Sequence, residues 1–245
     1  MRGSPEERAA VRRSFKRMNL KEKAAYIATY YKLPLFTAFV VIAVAVTSVI
    51  HQITKKDVVL YAAEVNIVMG EDLTRTLTED FLSDQGLDIK KNEVLVYQGL
   101  YIDEDPANEN HQFAYASKLK ILGAINARQM DIVFMNDNAY SQMSSSGLLL
   151  PMDTALQQDP ELYEQLKPFL REETVIIEDN SIEYDLNEAD TYEAVTEQQI
   201  NAVDVSSLPV FRNAQMDGSL YIGVIANTTH IEEVRAWLAY LFSIK

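Results

Sequence analysis

VVLYAAEVNIVM, residues 58–69, is the stretch on which the fold turns. It is a nearly continuous apolar run rich in Val, Ile and Tyr. A run of that length and composition predicts a strand buried on both faces, ending near Asn66. Two similar runs follow, EVLVYQGLY at 93–101 and MDIVFM at 130–135. Between the first two, Gly70-Glu71-Asp72 turns into a helix with Leu73, Leu77 and Phe81 four residues apart, and Gly86 closes it. Between the second and third, a polar loop at Asp103-Glu104-Asp105-Pro106 leads to a helix from about His111 to Ala127, with an apolar stripe at Leu119, Leu122 and Ile125. Strand, helix, strand, helix, strand at this spacing predicts parallel strands joined by right-handed crossovers. The expected fold class is α/β: a mostly parallel sheet with flanking helices.

Upstream of this domain lies LPLFTAFVVIAVAVTSVIHQI, residues 33–53, with no charge at all. About 18–21 helical residues span roughly 27–31 Å, the thickness of a bilayer's hydrocarbon core. A signal peptide has a shorter apolar core and a small-residue cleavage site at its end. Here Ala43-Val44-Ala45 lies inside the run, so an uncleaved transmembrane helix is expected. Residues 1–32 carry nine Lys/Arg against three Glu, whereas only Lys55 and Lys56 flank the other side closely. Lys/Arg accumulate on the cytoplasmic side, which predicts a cytoplasmic N-terminus and an outside C-terminal domain.

The three regions are therefore a basic juxtamembrane segment at 1–32, a transmembrane helix at 33–53 and an acidic domain at 57–245. In the first, Ser4-Pro5-Glu6-Glu7 starts a helix running to about Arg17, and Asn19 with Glu22 makes a capping-box start for a second. Tyr26, Tyr30, Tyr31 and Lys32 are the candidate membrane-interface residues, because Tyr and Lys favour the headgroup level. A plain basic stem that only fixes topology accounts for them equally well. The outside domain holds 11 Lys/Arg and 33 Asp/Glu, a net charge of 11 − 33 = −22. Such a domain repels phosphate backbones, so no nucleic-acid partner is expected.

The chain has no cysteine. That removes disulfides, a thiolate nucleophile and Cys-based zinc sites, and suits the outer face of a bacterial plasma membrane. Neither a nucleophile elbow, a phosphate loop nor a Gly-x-Gly-x-x-Gly turn is present. His51, His111 and His230 are scattered. No catalytic residue, metal ligand or cofactor is assigned, and an enzyme is not expected.

Parallel α/β sheets place ligands beyond the carboxyl ends of their strands. Those ends offer Asn66 after the first strand, and Asn136, Asp137, Asn138 and Tyr140 after the third. These five are the candidate ligand-binding residues. Asn and Asp are equally the ordinary residues of turns and caps, and that role is the one the sequence favours.

Further on, Asp159-Pro160 caps a helix bearing Leu162, Leu166 and Phe169, and Val175 to Ile177 is a short strand. Residues 178–197 are polar and acidic, and predict a solvated loop or hairpin. Leu220 to Ala226 is a last apolar strand. Thr229 and Glu232 predict a capping box for a final helix whose stripe is Ile231, Val234, Trp237, Leu238 and Leu241.

Ala116 to Asp153, ASKLKILGAINARQMDIVFMNDNAYSQMSSSGLLLPMD, resembles a segment of bacterial extracellular solute-binding proteins of the type 2 periplasmic-binding fold. There a helix leads to a short strand opening on Asp and apolar residues, then a helix, then Gly-Leu and Pro-x-Asp. Those positions here are Ala127 to Val133, then Gly147-Leu148 and Pro151-Met152-Asp153. The end, GSLYIGVIANTTHIEEVRAWLAYLF, resembles the strand and helix with which such proteins return to their first lobe. Family members have two lobes and roughly twice this length. Residues 154–219 are too few for a full second lobe, and a spanning helix stands where a lipobox cysteine would be. The resemblance implies one lobe of that fold. The functional expectation is a single-pass, membrane-anchored extracytoplasmic binding module, accessory to a membrane transporter or another envelope protein. The alternative is a receptor for a small-molecule ligand held at the strand ends.

Overall fold

The computed structural model describes residues 6, 13, 15, 18–30, 32–103, 109–178, 195–216 and 218–244. It divides into two units, Met1–Lys55 and Lys56–Lys245.

In the first unit, α1 spans Leu20–Tyr30 and α2 spans Lys32–Thr54. The predicted capping box at the start of α1 is formed reciprocally. The Glu22 amide donates to Asn19 Oδ1 at 2.9 Å, and the Asn19 amide donates to Glu22 Oε2 at 3.0 Å. The helix expected before Asn19, and the side chains of Tyr26, Tyr30 and Tyr31, lie outside the described residues; Lys32 is exposed. As a helix, α2 is 23 residues long, or about 35 Å. Among the described residues, however, no helix is long and apolar enough to cross a membrane.

The second unit is a six-stranded sheet in the order β2-β1-β3-β6-β5-β4. Its strands are β1 Asp57–Val65, β2 Asn92–Leu100, β3 Ile132–Met135, β4 Leu170–Glu178, β5 Val195–Asp204 and β6 Tyr221–Val224. Both neighbours of β1 run parallel to it. From β3 onward the pairings are antiparallel: β3 with β6, β6 with β5, β5 with β4. Four strands, β1, β2, β3 and β5, thus point one way and two point back. Parallel crossovers need a helix between strands, and the sequence supplies one at each of the first two connections. The later strands are joined by the β4–β5 hairpin and by returning chain.

Helices cover both faces. Leu60, Ala62, Ile132, Phe134, Ile222 and Val224 turn to one face. There they meet α3 Glu71–Arg75, α4 Phe81–Asp84, α7 Met152–Ala155, α8 Pro160–Leu166, α9 Pro209–Asn213 and α10 Ile231–Ser243. Ala63, Val65, Val133, Met135 and Tyr221 turn to the other, against α5 His111–Asn126 and α6 Asp137–Ser145. The two-residue alternation of strand side chains, with apolar groups on both sides, is why the sequence runs apolar without a break.

Three expectations need correction. The helix after β1 is interrupted by a π-helical turn, Thr76–Asp80, between α3 and α4. Side chains of α10 bond to two carbonyls of this turn. Trp237 Nε1 donates to the Leu77 carbonyl at 2.8 Å, and the Tyr240 hydroxyl donates to the Thr76 carbonyl at 3.0 Å. On α5, Ile125 of the expected stripe is buried and Leu122 half-buried, but Leu119 is 53% exposed, and Ala114, Ser117, Ile121 and Ala124 complete the buried face. At α10 the capping box is absent: His230 is the N-cap with no side-chain cap, and its amide donates to Thr228 Oγ1 at 3.1 Å.

Candidate functional site

A cleft of about 500 Å³ opens beyond the carboxyl ends of β1 and β3. Four of the five candidate ligand residues line it: Asn66, Asn136, Asp137 and Asn138. Ile67, Val68, Gln215, Met216, Gly218, Ser219 and Leu220 complete the wall. The sequence reading missed the second group. Because β6 runs antiparallel to β3, the residues entering β6 arrive at the same end as those leaving β1 and β3. The one available signal was the Gly218-Ser219 turn before the last apolar strand.

Each of the four predicted wall residues already bonds within the fold. Asn66 sits in the left-handed region, φ 59°, which Asn tolerates better than most residues. Its Oδ1 accepts from the Ile102 amide and its Nδ2 donates to the Ile102 carbonyl, both at 2.8 Å. The side chain therefore acts as a surrogate strand, pinning the chain after β2 to the end of β1. Asn136 is the N-cap of α6, where its Oδ1 accepts from the Ala139 amide at 3.0 Å. Asn138 Oδ1 accepts from Gln142 Nε2 at 2.6 Å, one turn along α6. Asp137 Oδ1 accepts from the Tyr221 hydroxyl at 2.7 Å. Asn136 has the cap role that the sequence favoured and Asn66 a turn conformation, whereas Asp137 and Asn138 bond to Tyr221 and Gln142 within the fold.

Tyr140 is the exception among the five: it does not line the cleft. It lies one helical turn into α6, is buried, and stacks on Tyr221 with ring centroids 4.7 Å apart. Its hydroxyl donates to Asn201 Oδ1 at 3.1 Å, and Asn201 Nδ2 donates to Ser144 Oγ at 2.7 Å. Burial, followed by the nearby Glu173 carboxylate, pushes the Tyr140 hydroxyl well above the usual phenol range. Tyr221 is also raised, by burial and by its bond to Asp137. Both phenols stay neutral and act as donors.

The wall of the cleft is thus amides, one carboxylate, one serine and apolar rim residues, with Val68 80% exposed at the mouth. Among the described residues no Lys or Arg lines it. It offers hydrogen bonds without a charge that would select an anion.

At the opposite end of the sheet, the buried Asp131 precedes β3. Its Oδ2 accepts from the Tyr61 amide at 2.8 Å and its Oδ1 from the Thr228 hydroxyl at 2.5 Å. His230 Nδ1 lies 3.1 Å from both oxygens. The Thr228 hydroxyl is committed to the carboxylate and not to the imidazole, so this is a clamp on the turn after β6 rather than a nucleophile relay. A second buried carboxylate, Glu64 on β1, accepts from the Met69 amide at 3.1 Å and from Gln98 Nε2 at 3.0 Å. Among the described residues no group of three or more His, Asp or Glu is placed to hold a metal ion.

No protein-family model matches this chain, and neither curated proteins nor solved structures give a match to it.

Proposed function

We propose that this chain is a single-pass, membrane-anchored binding module on the outer face of a bacterial plasma membrane, with its basic end in the cytoplasm. In this reading it serves a transporter or another envelope protein. The observation that carries the binding-module part is what residues 154–219 form. Among those described, α8, α9 and the β4–β5 hairpin join the sheet that β1–β3 begin. The described ones extend the sheet, and Gln215, Met216, Gly218 and Ser219 among them line the cleft wall, in place of a second lobe across from the strand ends. β6 returns to mid-sheet beside β3 with α10 packed on it, an arrangement in keeping with the strand and helix that the resemblance of the C-terminal stretch led us to expect.

The anchor rests on α2. Its described side chains include Phe36 at 65%, Phe39 at 69% and Val41 at 62% exposure, with no charge from Leu33 to Thr54. Water is a poor solvent for so large an apolar surface, and lipid is a good one. Protease added to intact cells is the test. Loss of residues 57–245 with retention of the N-terminal segment is the expected outcome. A domain that survives until the cells are opened overturns the topology.

The cleft favours a second reading, a receptor for a small uncharged ligand rich in hydroxyl or amide groups. Thermal-shift screening of the full chain in detergent against sugars and short peptides decides between them. A reproducible rise in melting temperature with one ligand moves the assignment to the receptor.

A further inference from the structure

Helix α5 is apolar on both sides. Its inner face sets Ala114, Ile121, Ala124 and Ile125 toward the sheet. Its outer face carries Tyr115 and Leu119 one turn apart, both more than half exposed, with Ala116 and Gly123 beside them and Phe113 on one flank. The space over Gly123 is open. A helix that is apolar all round is ordinarily covered on every side. Charge sets α5 apart as well. From Asn110 to Met130 the sequence holds no Asp or Glu, in a domain that is otherwise strongly acidic. The acids nearest in sequence are Asp103, Glu104, Asp105 and Glu109 before the helix and the buried Asp131 after it. Lys118 and Lys120 lie on either side of Leu119, Arg128 follows the helix, and all three are exposed. Arg75, Lys167, Arg171 and Arg235 are each held by a carboxylate, whereas these three enter no ion pair among the described residues. Lys120 lies instead over the Tyr97 ring, 5.6 Å from its centroid.

We propose that the outer face of α5 rests on the anionic headgroups of the membrane that holds the chain. Tyr115, Leu119 and Phe113 enter the headgroup boundary, and Lys118, Lys120 and Arg128 meet lipid phosphates. An acidic domain is repelled by such a surface, so a face without acids is the one that can approach it. An acidic protein would also match the cations, but Tyr, Leu and Phe flanked by lysines is the composition of a helix lying at a lipid surface. The proposal goes beyond the binding-module reading and rests on its membrane anchor.

The chain has no cysteine, so a nitroxide on Leu119→Cys reports one place. The test compares oxygen and a nickel chelate as relaxation agents for that label, with the full chain in nanodiscs of phosphatidylcholine alone or mixed with phosphatidylglycerol. The ratio of oxygen to nickel accessibility is expected to rise several-fold on the anionic discs. A label on Asp72→Cys, an exposed site on α3, should stay in water on both. Lys118→Glu/Lys120→Glu should abolish the rise at Leu119→Cys, with circular dichroism and melting temperature establishing that the variant is folded. High salt should give the same loss without those two substitutions. A Leu119→Cys label that stays open to nickel on anionic discs overturns the proposal, as does an equal rise at Asp72→Cys. Shielding from both agents means that protein covers the face, and overturns it in favour of an acidic partner or a second copy. A rise that is the same on both lipids overturns the anionic part of the recognition. A chain that does not enter nanodiscs defeats the anchor itself, whereas one that enters with this label in water defeats only this proposal.

Discussion

β1 and β5 belong to one sheet and have nearly the same length, nine and ten residues, yet they are stabilised differently. β1 lies between two parallel partners with helices on both faces, and it is fully buried from Tyr61's neighbour Ala62 to Val65. β5 is exposed over most of its first half and buried only at Asn201, Ala202 and Val203. The parallel half of the sheet is held by apolar burial. The antiparallel half is held at its base, by three residues of pairing to β6 and by a buried amide bonded to Tyr140 and Ser144. A strand need not be apolar along its length if one end is fixed.

The largest expected effect is therefore in the parallel half. Trp237 is 1% exposed, lies edge-on to Phe134 with centroids 5.6 Å apart, and donates to the π-helical turn. Trp237→Ala should cost about 3–5 kcal/mol in urea unfolding, from lost burial and a cavity. Ile177→Ser on the hairpin should change stability by no more than about 0.5 kcal/mol, since it removes an exposed side chain. If the two costs come out alike, the contrast between the halves is wrong.

The next effect lies at the junction. Asn201→Ala leaves the Tyr140 and Ser144 hydroxyls without their buried partner, which should cost about 1–3 kcal/mol. Combining it with Tyr140→Phe should cost less than the sum of the two single changes, because both remove the same hydrogen bond. Strict additivity would mean that Asn201 acts by packing alone.

The same contrast explains what the sequence made legible. β1, β2 and β3 were read to within a residue or two, because burial on both faces forces an unbroken apolar run. The stripe of α10 was read for the same reason: Val234, Trp237, Leu238 and Leu241 are all buried. β5 was missed. Its text, VTEQQINAVD, is polar because its outer half faces solvent, and its one buried polar residue, Asn201, looks no different from Gln198 until the fold brings Tyr140 to it. The antiparallel direction of β6 was also invisible, since a four-residue apolar strand carries no sign of its direction. That error hid half of the cleft wall. Asn66, Asn136, Asp137 and Asn138 were found because strand-end position is a topological property of parallel β1 and β3. Tyr140 was misplaced because helical phase, not chain proximity, decides which way a residue near a strand end points.

The smallest expected effect tests the base of the hairpin. Burial pushes the Asp204 carboxyl up, but the Ser206 hydroxyl and amide and the Arg171 guanidinium outweigh it and hold the group below the usual carboxylate range. Ser206 Oγ donates at 2.6 Å and Arg171 Nη2 at 2.6 Å. A carboxyl with a lowered folded-state value contributes stability that is fully present above its unfolded value. That contribution is lost as the pH falls from about 4 through the folded value. Arg171 is half exposed, so solvent screening keeps the contribution under about 1 kcal/mol. Asp204→Asn should then be slightly less stable than the parent at pH 6, and the gap should narrow at pH 3. Salt at 1 M should reduce the part due to Arg171 and leave the part due to Ser206. A gap unchanged by both acid and salt would mean that the hairpin base is fixed by β6 pairing alone, with the charge contact incidental to it.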